Sequence, residues 1–266
     1  MKAAQLFDVS GLVTIVTGGA SGIGLGYAEV MAANGAKVTV LDTDATALRA
    51  LPDGVRGIAA DVADRAALDK AVDAVAAAHG RIDVVFANAG IGGGPGFLVG
   101  ADDSRNAERA IEKLPLDQWQ RVFAVNVVGA FLTIQAAARH MKPRGSGRII
   151  VTSSVDSFIT EQYVGTPYVA SKGAVGQLVR QAALELAKYH ITVNAIAPGP
   201  IITNISGGRL KDPATRAPFE RQIPMHRLGT PADLQGLALF LASPASGYIT
   251  GVHVVADGGY VLGPAD

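Results

Sequence analysis

The chain contains 266 residues, of which 49% are hydrophobic, and its 23 basic residues balance its 23 acidic residues. The balance excludes the strong net charge that attracts proteins electrostatically to nucleic acid or to an anionic membrane. We therefore expect a small-molecule partner, with no nucleic acid and no membrane. The lack of cysteine excludes disulfides and thiolate chemistry and is typical of a reducing compartment. With no apolar run of about 18 residues, the sequence predicts a cytoplasmic protein folded as one domain over residues 1–266.

A glycine-rich stretch follows the first apolar run, which extends from Leu12 to Val16 and is typical of a buried strand. From Thr17 to Gly24 the stretch reads Thr-Gly-Gly-Ala-Ser-Gly-Ile-Gly and then continues as a helix-like segment. Glycine permits a tight turn and a close approach of backbone to ligand, and the free N–H groups of a helix start stabilise phosphate. The stretch therefore predicts a dinucleotide site, although its glycine spacing departs from the common G-x-G-x-x-G fingerprint.

The second predicted strand, Ala36 to Leu41, ends at Asp42. A carboxylate at this point of a βαβ unit accepts hydrogen bonds from the adenosine ribose and repels a 2′-phosphate. Residues 43–46 contain no lysine or arginine that would receive such a phosphate, so the predicted cofactor is NAD. The alternative is that Asp42 and Asp44 only cap a helix from Ala45 to Leu51.

Strands and helices alternate along the rest of the chain. Predicted strands at 55–60, 82–87, 148–153, 191–196 and 252–255 are separated by predicted helices at 66–78, 117–141, from 167 onward and 231–241. This alternation requires parallel strands and right-handed crossovers. We therefore predict an α/β fold: a Rossmann-like doubly wound parallel sheet of about seven strands with helices on both faces. Asp61 and Asn88 follow strands, where such sheets bind ligands.

Two segments lack a clear period. Residues 91–116 contain a breaker cluster from Gly92 to Pro95 and a predicted short helix that Asp102, Asp103 and Ser104 would cap and that ends at Leu114. A connection of this length is usually functional, and we interpret it as a flap or an oligomer contact. Residues 204–227 are polar and aperiodic, and we interpret them as a substrate lid.

Tyr168 and Lys172 lie four residues apart on a predicted helix, so both project from one face. A tyrosine with its ordinary pKa near 10 is a poor base at neutral pH. A neighbouring ammonium and an oxidised nicotinamide stabilise the phenolate, and we expect them to lower that pKa. The histidines are scattered without an H-E-x-x-H pair, so we expect no catalytic metal.

Further residues stand in a recognisable order after the glycine stretch. They are Asp61, Asn88-Ala89-Gly90, Asn126, Ser154, Tyr168 with Lys172, and Pro198-Gly199. In this order they resemble the short-chain dehydrogenase/reductase family, and the resemblance covers nearly the whole chain. It implies that Tyr168 is the acid/base, that Ser154 orients the substrate oxygen, that Lys172 holds the nicotinamide ribose and tunes Tyr168, and that Asn126 anchors a water of the proton relay.

The resemblance also implies the cofactor contacts and a homo-oligomer, either a tetramer or a dimer. The implied cofactor-binding residues, which include those predicted from the glycine stretch and from Asp42, are Gly18, Ser21, Gly22, Ile23, Gly24, Asp42, Asp61, Val62, Asn88, Ala89, Gly90, Tyr168, Lys172, Pro198, Gly199, Ile201 and Thr203. The substrate is expected at Ser154, Asp156, Tyr163 and Tyr168.

The sequence departs from the family pattern at four places. Ala87 stands where an asparagine is frequent, and the connection after Gly90 is longer than usual. Ser154 lies one residue further from Tyr168 than expected, so Ser153 remains an alternative catalytic hydroxyl. Asp156-Ser157 replaces a small pair, and we expect Asp156 to shape substrate choice, with a second substrate hydroxyl as its predicted partner.

The predicted function is oxidoreduction, in which a hydride passes between NAD(H) and a secondary alcohol or ketone while Tyr168 handles the proton. One alternative is an NADPH-linked 3-oxoacyl-type reductase. Asp42 and the lack of a basic patch for an acidic carrier protein argue against it. Another is a non-catalytic NAD-binding sensor or scaffold, against which the intact Ser154, Tyr168 and Lys172 set argues.

Overall fold

A computed structural model describes residues 2–99 and 104–264. The strands are β1 (Val13–Thr17), β2 (Lys37–Asp42), β3 (Val55–Ala59), β4 (Val84–Ala87), β5 (Leu98–Val99), β6 (Ser104–Arg105), β7 (Gly147–Thr152), β8 (Ile191–Pro198) and β9 (His253–Ala256). The helices are α1 (Ala3–Leu6), α2 (Gly22–Ala33), α3 (Ala45–Arg49), α4 (Arg65–His79), α5 (Leu116–Phe123), α6 (Ala130–Met141), α7 (Thr166–Leu186), α8 (Ile205–Gly208), α9 (Pro213–Gln222) and α10 (Pro231–Ala242).

The main sheet has seven strands in the order β3-β2-β1-β4-β7-β8-β9. Every pairing in it is parallel, with Ile15 of β1 opposite both Thr39 of β2 and Val85 of β4. The chain runs outward from β1 in one direction and then returns to continue from β4 in the other, so the strand order reverses between these two strands. Such a reversal opens a crevice at the carboxyl ends of the strands. The predicted fold class is confirmed.

Two hydrophobic layers cover the sheet. On one side the side chains of α4, α6 and α7 pack on the strands, and on the other side those of α2 and α10 do. Tyr27 of α2 stacks on Phe86 of β4 with ring centroids 4.9 Å apart. All residues of β1 and β4 are buried, whereas the edge strand β3 is largely exposed. The central strands are predominantly apolar because helices cover both of their faces.

The predicted helix at 117–141 is interrupted. A π-helical segment, Ala124–Gly129, joins α5 to α6. This turn directs Ala130 and Leu132 into the core, while Phe131 remains 44% exposed. The combined helix Leu116–Arg144 is long and apolar enough to span a membrane, but 56% of its apolar window is buried within the fold, and we interpret it as a core helix.

The two aperiodic segments are more ordered than the sequence suggests. Asp102 and Asp103 lie outside the described residues. From Ser104 onward, β6 pairs antiparallel with β5, and two 3-10 turns, Ala107–Arg109 and Ile111–Lys113, replace the predicted helix. Ala110 between the turns is extended, which prevents a continuous helix. In the second segment, Asp212 caps the helix α9 by accepting a hydrogen bond from the Thr215 N–H.

Candidate active site

A cleft of about 720 Å³ opens at the carboxyl ends of the central strands. Most of the residues predicted for cofactor and substrate line it, namely Gly18, Ser21, Gly22, Ile23, Asp42, Asp61, Val62, Asn88, Ala89, Gly90, Ser154, Asp156, Tyr168, Lys172, Pro198, Gly199, Ile201 and Thr203. Gly24, Asn126 and Tyr163 lie behind its walls. The topology thus brings residues from the whole length of the chain to one place.

The glycine turn forms one wall of the cleft. Gly18 and Gly22 have φ values of +61° and +54°, which glycine adopts without strain. A Cβ on Gly24 would lie 2.3 Å from the Gly18 carbonyl oxygen and 2.4 Å from Nδ2 of Asn88. That amide donates hydrogen bonds to the carbonyls of Thr17 and Gly18, at 3.1 and 3.0 Å. Asn88 therefore fixes the turn to the end of β4, and Gly24 is required by this packing.

Asp42 ends β2 beside the same turn. Its carboxylate accepts hydrogen bonds from the Ala20 N–H at 3.0 Å and the Asp44 N–H at 3.1 Å. Asp44 is the residue that caps α3, since it accepts from the N–H groups of Thr46 and Ala47. The alternative in which both aspartates cap this helix therefore applies to Asp44 alone. Asp42 instead lines the cleft. Each of its carboxylate oxygens has a remaining lone pair that can accept a hydrogen bond from a ligand.

Ser153 and Ser154 point in different directions at the end of β7. Ser153 Oγ is 2.5 Å from Ser157 Oγ, which in turn donates to the Lys172 carbonyl at 2.8 Å. Ser154 Oγ instead donates to Oδ2 of Asp156 at 3.0 Å, and it lies close enough to Tyr168 to lower the pKa of that phenol. The geometry favours Ser154 as the hydroxyl that acts together with Tyr168.

Tyr168 lies in the first turn of α7, where Pro167 suits the helix start, and Lys172 lies one turn later. Lys172 Nζ is 5.5 Å from the centroid of the Tyr168 ring and donates to the Thr152 carbonyl at 2.8 Å. Burial lowers the pKa of Lys172 to about 8, although the Asp156 carboxylate opposes this effect.

The pKa of Tyr168 itself is raised, chiefly by burial and further by the carboxylate of Asp156. A hydrogen bond with Ser154 offsets this only in part. The expected lowering of this pKa requires both the ammonium of Lys172 and an oxidised nicotinamide, so it stays a prediction for the complex with cofactor, in which desolvation and Asp156 oppose it. A phenolate at this position therefore depends on the positive charges placed beside it.

Asn126 lies in the π-helical segment and is buried. Its Oδ1 accepts from the Ile91 N–H at 2.8 Å, and its Nδ2 donates to the Ile91 carbonyl at 3.0 Å and to Ser171 Oγ at 3.0 Å. These bonds use both amide hydrogens. The side chain therefore anchors the segment after Gly90 against α7, and the predicted role of Asn126 in a proton relay stays a prediction.

Asp156 is 8% exposed, and desolvation raises its pKa to about 6. Tyr163, predicted at the substrate, is 6% exposed, and its ring meets Phe219 edge-on with centroids 5.4 Å apart. Its phenyl ring thus supports the wall of the cleft, and its contact with substrate stays a prediction.

The cleft also contains Glu161, Arg209 and Tyr260, which the sequence did not single out, although Arg209 lies within the segment 204–227 that we interpret as a lid. The Tyr260 hydroxyl hydrogen-bonds Oε2 of Glu161. Arg209 Nη2 donates to the Tyr163 carbonyl at 2.8 Å. These residues come from the loop before α7, the turn after α8 and the C-terminal turn. No local pattern marks them, since only the fold brings their three segments together.

Known proteins share this architecture and sequence. A family model described as Enoyl-(Acyl carrier protein) reductase matches residues 18–261. Galactitol 2-dehydrogenase (L-tagatose-forming) from Cereibacter sphaeroides is 36% identical, with 98% of this chain and 100% of the relative covered. The chain belongs to the short-chain dehydrogenase/reductase family. Another relative, 5-keto-D-gluconate 5-reductase from Escherichia coli strain K12, is 34% identical over 97% of this chain and 98% of its own.

A solved short-chain type dehydrogenase/reductase from Mycobacterium marinum has a TM-score of 0.83 and 35% identity, covering 98% of this chain and 99% of that chain. The relatives are oxidoreductases of alcohols and ketones, and the short-chain dehydrogenase/reductase family binds a nicotinamide dinucleotide. The residues of this cleft fit such a cofactor. Gly18 and Gly22 carry no Cβ and both line the cleft, and the N-terminus of α2, which begins at Gly22, borders it as well.

Proposed function

We propose that the protein is an NAD-dependent oxidoreductase that interconverts a secondary alcohol and its ketone, as a cytoplasmic enzyme. The observation that carries this proposal is the convergence of Ser154, Tyr168 and Lys172 in the cleft that the glycine turn borders. Each residue alone has an ordinary structural explanation. Their meeting, with two hydroxyls beside an ammonium in a cleft, is the arrangement that proton transfer to or from a substrate oxygen requires.

The cofactor-binding residues divide by position along the cleft. The glycine turn would hold the pyrophosphate, Asp42 the adenosine ribose, and Asp61 with Val62 the adenine. At the other end, Lys172 would hold the nicotinamide ribose. Around it lie the residues that would enclose the nicotinamide, which are Asn88, Ala89, Gly90, Pro198, Gly199, Ile201 and Thr203. When bound, the nicotinamide takes up the hydride of the carbinol carbon in oxidation and returns it in reduction.

The side chains supply the proton transfer. In oxidation, Tyr168 as phenolate removes the proton of the substrate hydroxyl while the carbon loses its hydride, so that two electrons leave the alcohol and a ketone forms. Ser154 holds the substrate oxygen beside Tyr168. Because burial and Asp156 raise the pKa of Tyr168, the charge of Lys172 is required to stabilise the phenolate. In reduction, Tyr168 returns the proton to the ketone oxygen.

The choice of NAD rests on Asp42. Its carboxylate borders the cleft at the end of β2, where a 2′-phosphate would be repelled. The experiment is a fluorescence titration of the protein with NADH and with NADPH. We expect binding of NADH to be at least about 10-fold tighter. Tighter binding of NADPH would contradict the proposal and would favour the reductase of acyl carrier substrates that the description of the matching family model suggests.

Tyr168→Phe tests the chemistry. The ring is retained, so we expect NADH to bind as in the wild type, while alcohol oxidation falls by at least about 1,000-fold because no proton acceptor remains. The matched control is Tyr189→Phe, on a tyrosine that contacts lysines outside the cleft, and it should retain full activity. Full activity of Tyr168→Phe would exclude the mechanism. NADH binding by a wild type that oxidises no alcohol would favour the non-catalytic sensor.

A further inference from the structure

The substrate end of the cleft, beyond Ser154, contains an unusual group of polar side chains. Asp156, Glu161, Arg209 and Tyr260 all line it. Asp156 and Tyr260 are 8% and 7% exposed, and Glu161 is half-buried. Three separate segments of the chain contribute these residues, since Asp156 and Glu161 share the connection between β7 and α7. Buried carboxyl groups destabilise a fold unless they have partners, so the group needs an explanation beyond packing.

The carboxyl groups have unused hydrogen-bonding capacity. Glu161 accepts hydrogen bonds from the Tyr260 hydroxyl and from the Tyr163 N–H. Asp156 accepts one from Ser154 Oγ. Each carboxylate offers about four lone-pair positions. Both groups can therefore accept further hydrogen bonds from a ligand in the cleft, and hydroxyl groups are the donors of a ligand without charge.

The charges at this end of the cleft compensate one another. Two cations, Arg209 and Lys172, oppose the two carboxyl groups of Asp156 and Glu161. The Glu161 carboxylate acts electrostatically on Arg209, and the Lys172 ammonium acts on Asp156. An anionic ligand would approach Asp156 and Glu161 against their charge, and a cationic ligand would compete with Arg209. An apolar alcohol would cover the carboxylates without pairing them, which is unfavourable.

We propose that this end of the cleft selects uncharged polyhydroxy alcohols and the corresponding ketoses. One hydroxyl next to the reacting carbon donates to Asp156, and a more distant hydroxyl donates to Glu161, whose carboxylate Tyr260 orients. Arg209 keeps the site electrically neutral. This inference rests on the proposed function and specifies the substrate of that same site.

The experiment compares kcat/KM for NAD reduction across substrates of different charge. The panel contains threitol and galactitol as neutral polyols, 2-butanol as a simple alcohol, gluconate as an anion and 1-amino-2-propanol as a cation. We expect kcat/KM for the better of the two polyols to exceed that for 2-butanol, gluconate and 1-amino-2-propanol by at least about 100-fold. A site built for hydroxyl groups rejects analogues that lack them. A higher value for any of the other three would overturn the inference, while oxidation with NAD would still support the proposed function.

Two variants locate the specificity. Glu161→Gln keeps the size of the side chain and removes its charge, and Tyr260→Phe removes only the hydroxyl. We expect each to lower the ratio of polyol to 2-butanol kcat/KM by about 10-fold or more, mainly through KM. Glu29→Gln, on the exposed face of α2, is the matched control and should leave the ratio unchanged. An unchanged ratio in both cleft variants would overturn the inference.

Calorimetry provides a readout that does not require turnover. In the Tyr168→Phe protein saturated with NADH, a polyol should bind, and adding Glu161→Gln should weaken this binding by about 10-fold. Equal binding with and without Glu161→Gln would overturn the inference. If no alcohol is oxidised but polyols still bind through Glu161, the inference stands and the proposed function fails, so the two failures are distinguishable.

Discussion

Asp156 is a residue whose buried position lowers the stability of the folded protein at neutral pH. Its pKa is raised to about 6 from an ordinary value of 3.8 because burial disfavours the ionised carboxyl. The folded protein therefore holds this proton more tightly than the unfolded chain does. The resulting stabilisation is complete below about pH 4 and is lost as the pH rises to about 6. At neutral pH the buried, ionised Asp156 lowers the free energy of unfolding by about 3 kcal/mol.

Asp156→Asn should remove this pH dependence, since the amide does not ionise. We expect the variant to gain stability over the wild type as the pH increases from about 4 to about 7, by up to about 3 kcal/mol. Denaturant unfolding of both proteins at several pH values measures the difference. A difference that is independent of pH would show that Asp156 titrates normally in the folded protein.

At the level of single residues, the sequence predicted those that belong to local motifs and missed the properties that depend on tertiary contacts. Tyr168, Lys172 and the glycine turn are recognisable because each lies in a short motif with fixed spacing. The opposing effects of burial and of the Asp156 carboxylate on the pKa of Tyr168 could not be predicted, because both depend on tertiary structure. Glu161 and Tyr260 were missed because their partnership spans distant segments.

At the level of elements, strands and regular helices were predictable because their hydrophobic periodicity is local. The π-helical segment 124–129 and the hairpin of β5 and β6 were not. Both depend on contacts with other parts of the chain. In the hairpin region, Gly96 and Leu98 donate backbone hydrogen bonds to the carbonyls of Tyr163 and Gln162. A strand of two residues that is stabilised by such contacts is too short to show a hydrophobic periodicity in the sequence.

The packing of α2 on α10 predicts contrasting effects of two glycine substitutions. Gly236 lies on the exposed side of α10, and a Cβ there would meet nothing within 4 Å. Gly236→Ala should therefore raise the free energy of unfolding by about 0.5–1 kcal/mol through its higher helix propensity. At Gly26 of α2 a Cβ would lie 3.1 Å from Cβ of Pro231.

Gly26→Ala should lower stability by about 1–3 kcal/mol, because the two helices would have to separate. Thermal or urea unfolding of both variants checks the pair. Equal effects of the two substitutions would mean that α2 and α10 pack less closely than the structure shows.

For the whole molecule, we propose that the protein forms a homo-oligomer through the helices opposite α2 and α10. Large apolar side chains are exposed there, with Leu116, Phe131 and Leu184 at 69%, 44% and 76%. Monomers seldom leave several such side chains in water on neighbouring helices. Light scattering should give a mass of two or four chains, and Phe131→Glu combined with Leu184→Glu should reduce it. A monomeric wild type would contradict this proposal.

The backbone hydrogen bonds between residues 94–98 and 162–165 limit how the specificity of this enzyme can be changed. The first segment continues from Gly90 at the cofactor end of the cleft, and the second adjoins Glu161 and leads directly into Tyr168. A Cβ on Gly96 would lie 2.1 Å from the Gln162 carbonyl oxygen, and one on Gly165 would lie 2.1 Å from that of Gly93, which directly precedes the first segment. The two loops are therefore one mechanical unit. Replacing either loop alone with the loop of a relative would leave unpaired backbone groups beside the reacting centre. A change of substrate specificity by loop exchange therefore requires that both loops be replaced together.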